Sequence, residues 1–372
     1  MLTWEERAEL AHCYAPRLIL FPEKIELGKP RIEGGAGDYH PRSLELLLER
    51  GHLFPGTLRS LAQGQIEWLF SQNNRPPATL DNLAQSSNTS HQIRLLGPPI
   101  PNAQQAWEVY FDILDQRDAA GRTGRERFPL TTYAHVITRE EAVASCVANR
   151  VAPDLYLNKE GRPFYQPVPP PRPDDVAVQY WFCYYFDDWA NVHEADWESI
   201  TVFLRRKTVG WQPLGATFSV HENGVRRHWI DMECVENTHP VVYVASGSHA
   251  SYFQHVSDGH ETQLAGIILA KLKIKIGLQI NTGNRDFVPT HDEQHPALAL
   301  RVEVLPDPIT AVSDDNSARQ HLRWMSFKGA WGARELGRLI AGGPTGPSCK
   351  GLKWFNPFAW SESECWPDYL IY

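Results

Sequence analysis

The sequence predicts a mostly β fold, an elaborated β-sandwich with peripheral helices and irregular N- and C-terminal segments. Three observations predict it. Aromatic residues (13 Trp, 13 Tyr, 15 Phe) accompany abundant turn-formers (28 Pro, 26 Gly), the composition of short strands joined by turns. The run from Val176 to Phe186 is almost continuously apolar and aromatic, as expected of a strand covered on both faces. From Trp197 onward, short apolar segments alternate with Gly, Asn and Pro.

In chain order, Thr3 followed by Glu6 is a capping-box pattern and predicts a helix to about Tyr14. Pro41 to Glu49 places Leu44, Leu47 and Leu48 on one face and stops at Gly51, predicting a second helix. The leucine spacing from Gly56 to Gln72 predicts another, and Arg139 to Ala148 a further short one. Asn73 to Asn102 is polar and turn-rich, expected as a loop. The stiff connector Gln166–Pro173 then separates a mixed region, 1–165, from a central sandwich, 166–310.

Central strands are expected at Val176–Phe186, Trp197–Leu204, Ala216–His221, Val225–Val235, Val241–Ala245, Leu272–Ile280 and Leu300–Leu305. Glu222-Asn223-Gly224 joins two of them as a hairpin turn. Lys271, Lys273 and Lys275 alternate as the outer face of a half-buried strand. The Gly/Pro/Trp-rich residues 311–372 read as a C-terminal wrap; the Gln166–Pro173 connector fits either a domain boundary or a rim segment, and the expectation is one compact domain overall.

Composition narrows function. The chain has 372 residues, 42% hydrophobic and 22% charged, values of an ordinary globular protein. Its net charge of −8, with no basic run, argues against a nucleic-acid partner, because neutralising phosphates takes a basic surface. No window reaches the roughly 20 apolar residues of a membrane helix. The start, Met-Leu-Thr-Trp-Glu-Glu, lacks a signal peptide's basic and apolar pattern, so the expected location is cytoplasmic. Six scattered cysteines show no zinc-knuckle spacing and are expected as free thiols.

The strongest chemical signal is Asp187, Asp188, His193, Asp196 and Glu198 around the turn between two strands. Residues i and i+2 of a strand share a face, so Asp196 and Glu198 point the same way. Carboxylates and an imidazole converging there repel one another unless a cation lies between them. A hard cation fits: Ca²⁺ or Mg²⁺ foremost, or Mn²⁺, whereas Zn²⁺ would want more nitrogen or sulfur. The competing reading has these acids neutralised by arginines or facing water. His221 and His249, the latter among the small residues Gly247, Ser248, Ala250 and Ser251, are candidates for general acid–base work or for satisfied structural histidines. No phosphate loop, dinucleotide fingerprint, nucleophile elbow or His-Glu-x-x-His zinc helix occurs.

Three segments carry a family resemblance: Gln-Tyr-Trp-Phe-Cys-Tyr-Tyr-Phe at 179–186, His-Glu-Ala-Asp-Trp-Glu at 193–198, and Val-Val-Tyr-Val-Ala-Ser-Gly-Ser-His-Ala-Ser-Tyr at 241–252. With Asp38-Tyr39-His40-Pro41 and Gly329-Ala330-Trp331-Gly332, they resemble the vacuolar-protein-sorting-associated protein 62 family, whose name implies no chemistry. The same core is similar to the necrosis- and ethylene-inducing-like toxins, whose heptapeptide Gly-His-Arg-His-Asp-Trp-Glu follows an aromatic strand. That resemblance implies a β-sandwich holding a divalent cation through Asp187 or Asp188, His193, Asp196 and Glu198. Val192, Glu194 and Ala195 depart from the heptapeptide, so it implies the fold and the ion rather than a toxin's role.

The expected function is divalent-cation-dependent binding of a polar ligand, a glycan or a lipid headgroup. The alternative is a metal-assisted enzyme, a hydrolase or cyclising tailoring enzyme acting on a small molecule, with His249 or His221 moving the proton.

Overall fold

The computed structural model describes residues 2–23, 39–60, 66–70, 77–85, 91–94, 103–151, 172–188, 192–220, 223–255, 260–261, 285–306, 322, 324–336 and 339–367. Helix α1 (Trp4–Cys13) opens on the expected capping box. The Thr3 hydroxyl accepts from the Glu6 N–H at 3.2 Å and the Glu6 carboxylate from the Thr3 N–H at 2.9 Å.

Strand β1 (Arg17–Ile19) and the short helix α2 (Glu45–Leu48) follow. Gly56 to Gln72 is not the expected helix. It contributes to β2 (His52–Ser60) and β3 (Ile66–Phe70), paired antiparallel from Gly56 opposite Phe70 to Ser60 opposite Ile66. Helical and alternating spacing overlap in this segment, and the Ile66-x-Trp68-x-Phe70 alternation prevails, because β-branched and aromatic side chains favour a pleated surface.

The expected loop at 73–102 contains helix α3 (Leu80–Gln85), with the Thr79 hydroxyl accepting from the Asn82 N–H at 3.2 Å, and strand β4 (His91–Arg94). Helix α4 (Ala103–Asp115) buries Ala106, Trp107, Tyr110, Ile113 and Leu114 at helical spacing. It precedes α5 (Gly124–Arg127), β5 (Thr131–Thr138) and α6 (Arg139–Asn149).

The centre is β6 (Val176–Asp187), β7 (His193–Arg206), β8 (Trp211–Val220) and β9 (Asn223–His228), then β10 (Cys234–Val235), β11 (His239–Val244) and β12 (Ser251–Tyr252). Strands β13 (His260–Glu261) and β14 (Arg285–Asp286) pair with each other. Strands β15 (Leu298–Ala299), β16 (Arg301–Val304), β17 (Ala330–Trp331), β18 (Ala333–Leu336) and β19 (Leu339–Gly342) follow. Two short helices, Leu352–Phe355 and Pro357–Ser363, and β20 (Cys365–Pro367) end the described chain. The C-terminal wrap is thus built partly of short regular pieces. The expected Leu272–Ile280 strand, with Lys271, Lys273 and Lys275, and most of the Gln166–Pro173 connector lie outside the described residues.

The main sheet runs β16-β5-β6-β7-β8-β9-β20, with the β18–β19 hairpin joined to β7. A smaller sheet, β10-β11-β1-β15 with β12 on β11, faces it. The architecture is a β-sandwich with peripheral helices. Every residue of β6 is buried, and alternate side chains feed opposite cores. Val176, Val178, Tyr180, Phe182 and Tyr184 pack with α1 and β11. Trp181, Cys183 and Tyr185 pack with α2, α4, Trp331 and Trp354. Burial on both faces explains the unbroken apolar run in the sequence. All six cysteines are free thiols, and no described helix is long and apolar enough to cross a membrane.

Candidate functional site

The β6–β7 ladder places Phe182 opposite Glu198, Tyr184 opposite Asp196, Phe186 opposite Glu194 and Asp187 opposite His193. The Tyr185–Ala195 rung is missing from this pairing, and Ala195 lies in the left-handed region at φ 56°. Strict alternation fails here: Tyr185 and Phe186 both turn into the core that holds Trp107 and Tyr110. Asp187 therefore reaches the side occupied by Asp196. A left-handed non-glycine residue costs about 1–2 kcal/mol, and such strain gathers where a site needs a side chain re-aimed.

The third participant comes from the turn after β11. Gly247 and His249 both have positive φ, 76° and 55°. The Asp188 N–H donates to the Gly247 carbonyl at 3.3 Å, and a Cβ on Gly247 would lie 3.1 Å from the Asp188 carbonyl oxygen. A side chain there would meet the close approach of the two loops. The His249 imidazole lies flat on Tyr184, centroids 4.0 Å apart and 7° between planes. Its Nδ1 is 3.1 Å from Asp196 Oδ2. Tyr39, from the Asp-Tyr-His-Pro segment, meets the same imidazole edge-on at 6.5 Å.

Donor atoms of Asp187, Asp196 and His249 lie within 4.8 Å of one another, and all three residues are buried. Ligands on opposite sides of an ion with bonds of ~2.3–2.6 Å stand roughly 4.6–5.2 Å apart, so the three atoms can share one coordination shell. Two carboxylates and an imidazole suit a divalent cation that takes mostly oxygen.

His193 stands beside this group. Its Nδ1 is 2.6 Å from the Ala195 carbonyl and its Nε2 3.7 Å from Asp187 Oδ2. A carbonyl only accepts, so Nδ1 carries the proton. Nε2 then faces the carboxylate either as an imidazolium or with its lone pair directed at a proton or a cation between the two groups.

Burial raises Asp196, but the hydrogen bond from His249 and the charges of His193, His249 and Lys350 bring its carboxyl below the usual range. Glu198 goes the other way. Burial and the Asp196 charge push it up to about 7, against the opposing pull of Lys353, the Ser219 hydroxyl and Lys350. Glu198 Oε2 is buried with no hydrogen-bond partner among the described residues. Lys353 donates from Nζ to the Ser219 hydroxyl at 2.7 Å.

The structure thus brings Asp187 and Asp196 together with His249 and sets His193 next to Asp187. Glu198 is not in the three-donor cluster, Asp188 touches the site through its backbone, and His221 lies outside the described residues. Glu194 turns elsewhere and accepts from the Ala333 N–H at 3.1 Å. Beside it Gly332, at φ 90°, packs so tightly that a Cβ would lie 2.0 Å from the Glu194 carbonyl oxygen. Sequence reading missed Asp286, which is fully buried and accepts from Ser248 at 2.7 Å and from the Tyr252 hydroxyl. Its distance along the chain from every other site residue left no spacing signal.

No protein-family model matches the chain, and no curated protein matches it. Among solved structures, the crystal structure of necrosis and ethylene inducing protein 2, from the causal agent of cocoa's witches' broom disease, aligns with 38% of this chain at 18% identity and a TM-score of 0.21. The alignment covers 51% of that chain, so this protein matches about half the length of that structure. A superposition of that quality transfers neither fold nor function, and none of these comparisons bears on the vacuolar-protein-sorting-associated protein 62 family.

Proposed function

We propose that the protein binds a polar ligand, a glycan or a lipid headgroup, through a divalent cation held by Asp187, Asp196 and His249. The observation that supports this reading is the convergence of those three donors within 4.8 Å inside the fold. His193 stands next to Asp187 and Glu198 two residues beyond Asp196, and both are candidates to complete the shell or steady it. A bound ion supplies positive charge between acids that otherwise repel, and its open positions accept hydroxyl or phosphate oxygens. Ca²⁺, Mg²⁺ and Mn²⁺ match the oxygen-rich set, and the imidazole nitrogen favours Mn²⁺ over the other two.

Burial favours binding over the metal-assisted enzyme. The His249 side chain is 0% exposed, whereas those of Asp187 and Asp196 retain 6% and 9%. An imidazole sealed against Tyr184 suits a ligand or an orienting group better than a base that must meet a substrate.

Calorimetric titration with Ca²⁺ and with Mn²⁺, on the native chain and on Asp196→Asn, tests the reading. One site per chain in the native protein, lost in the variant, is expected. Absence of binding by both ions to the native chain overturns it. Glycan and lipid-vesicle binding, each with and without chelator, then separates the two ligand sources.

A further inference from the structure

Ser248 and Asp286 flank the cluster without belonging to it. Ser248 Oγ donates to Asp286 Oδ1 at 2.7 Å and accepts from the Ala250 N–H at 3.4 Å, so one hydroxyl ties together the residues on either side of His249. The Ser246 N–H donates to the Phe287 carbonyl at 2.8 Å, and the His249 N–H donates to the Ala245 carbonyl at 3.1 Å. Asp286 is itself fixed by the Tyr252 hydroxyl, on the β12 strand that pairs with β11. Segment 285–287, remote in sequence, therefore clamps the turn that carries His249.

The clamp has a physical purpose. His249 holds a left-handed backbone that its side chain disfavours, and a free turn would relax toward negative φ. Relaxation would swing the imidazole off Tyr184 and away from Asp196. Burying a carboxylate is costly unless it is hydrogen-bonded, and Asp286, at 0% exposed, meets that need with the Ser248 and Tyr252 hydroxyls. Groups that fix a ligand's orientation tune metal affinity, because a ligand aimed in advance loses less freedom on binding.

We infer that Asp286, acting through the Ser248 hydroxyl, is a positioning residue that pre-aims His249 for the cation. This rests on the proposed cation site. Ser248 and Asp286 touch no ion; they set how much of the protein is ready to receive one.

Mn²⁺ titration of the native chain, Ser248→Ala and Tyr252→Phe, each also melted in chelator, provides the test. Both variants remove one hydroxyl from Asp286, so a purely structural role predicts parallel losses. Positioning predicts a difference. Ser248→Ala should weaken Mn²⁺ binding tenfold or more. Tyr252→Phe leaves the Ser248–Asp286 contact in place and should stay within about twofold of native, even if it melts lower. Equal affinities in all three proteins, or losses that track the melting temperature alone, overturn the inference while leaving the cation site standing. A native chain that binds no Mn²⁺ removes the site itself, and the positioning role with it. If Ser248→Ala fails to fold, Asp286→Ala, which removes the oxygen that accepts from the Ser248 hydroxyl, takes its place with the same expected loss.

Discussion

Buried acids in this protein are neutralised in two opposite ways. Glu23, from the segment after β1, is gripped by Arg42 through Nε and Nη2 at 2.9 and 2.7 Å. Arg125 and the Tyr110 hydroxyl also donate to it. Asp175 and Arg205 repeat the arrangement at 2.8 and 2.7 Å. Asp196, equally deep, receives the Trp197 N–H at 2.8 Å and an imidazole at 3.1 Å. Guanidinium pairs are permanent and geometrically matched to carboxylates. Imidazoles exchange a proton for a metal. The first kind of cluster fixes a fold, and the second has the donors that the proposed cation would use.

The largest effect that could break this contrast is at Arg42. Its removal takes the two-pronged partner from Glu23 and leaves it with Tyr110, the half-exposed Arg125 and His40, and breaking a buried pair costs about 3–5 kcal/mol. Arg42→Ala should lose that much stability in urea unfolding, equally with and without divalent cation. A loss below about 1 kcal/mol would show that Glu23 is hydrated rather than buried, and would dissolve the distinction.

Acid titration comes next. Although burial opposes it, the Arg42, Tyr110 and His40 contacts hold the Glu23 carboxyl down at about 2. A depressed carboxyl contributes stability that is fully present above its unfolded value near 4.5 and fades as pH falls toward 2. The difference corresponds to about 3 kcal/mol. Glu23→Gln should flatten the stability profile between about pH 5 and 2 by that order relative to the native chain. Parallel profiles would place the acid sensitivity elsewhere.

At the imidazole cluster the ion itself is the variable. A divalent cation at ~100 times its dissociation constant should add about 2.7 kcal/mol. Chelator should therefore lower the native melting temperature by a few degrees and leave Asp196→Asn unmoved. If both proteins respond alike, or neither does, the site works without a cation and the comparison loses its second term.

How much of this was legible in the sequence follows from where the signals lie. The β6–β7 hairpin could be read because its apolar run and the acids beyond it are contiguous. The sharing of a face by Asp187 and Asp196 could not be derived from alternation alone, since it depends on Ala195 leaving the regular strand conformation. His249 was read as an acid–base candidate from its small neighbours, but its contact with Asp196 joins residues 53 apart. Helix α4 went unread although its apolar spacing was regular, and β2–β3 was read as a helix because leucines at mixed spacing satisfy both periods. Side chains that meet only through tertiary packing, such as Asp286 with Ser248, leave no local trace.

The smallest expected effect sharpens the comparison from outside. Arg50 and Asp112 form an ion pair of the same chemistry as Arg42 and Glu23, but their side chains are 35% and 55% exposed against 7% and 6%. Water already solvates both charges, so the pair gains little Coulomb energy and must hold two flexible side chains in one geometry. Gln116 also donates to Asp112 at 3.2 Å, a contact that an asparagine amide oxygen can still accept. Asp112→Asn should therefore change stability by no more than about 0.5 kcal/mol, and salt should change it less still. If it instead costs as much as Arg42→Ala, the strength of these pairs comes from the guanidinium–carboxylate geometry itself rather than from burial. The separation of permanent from exchangeable clusters would then have to rest on ligand type alone.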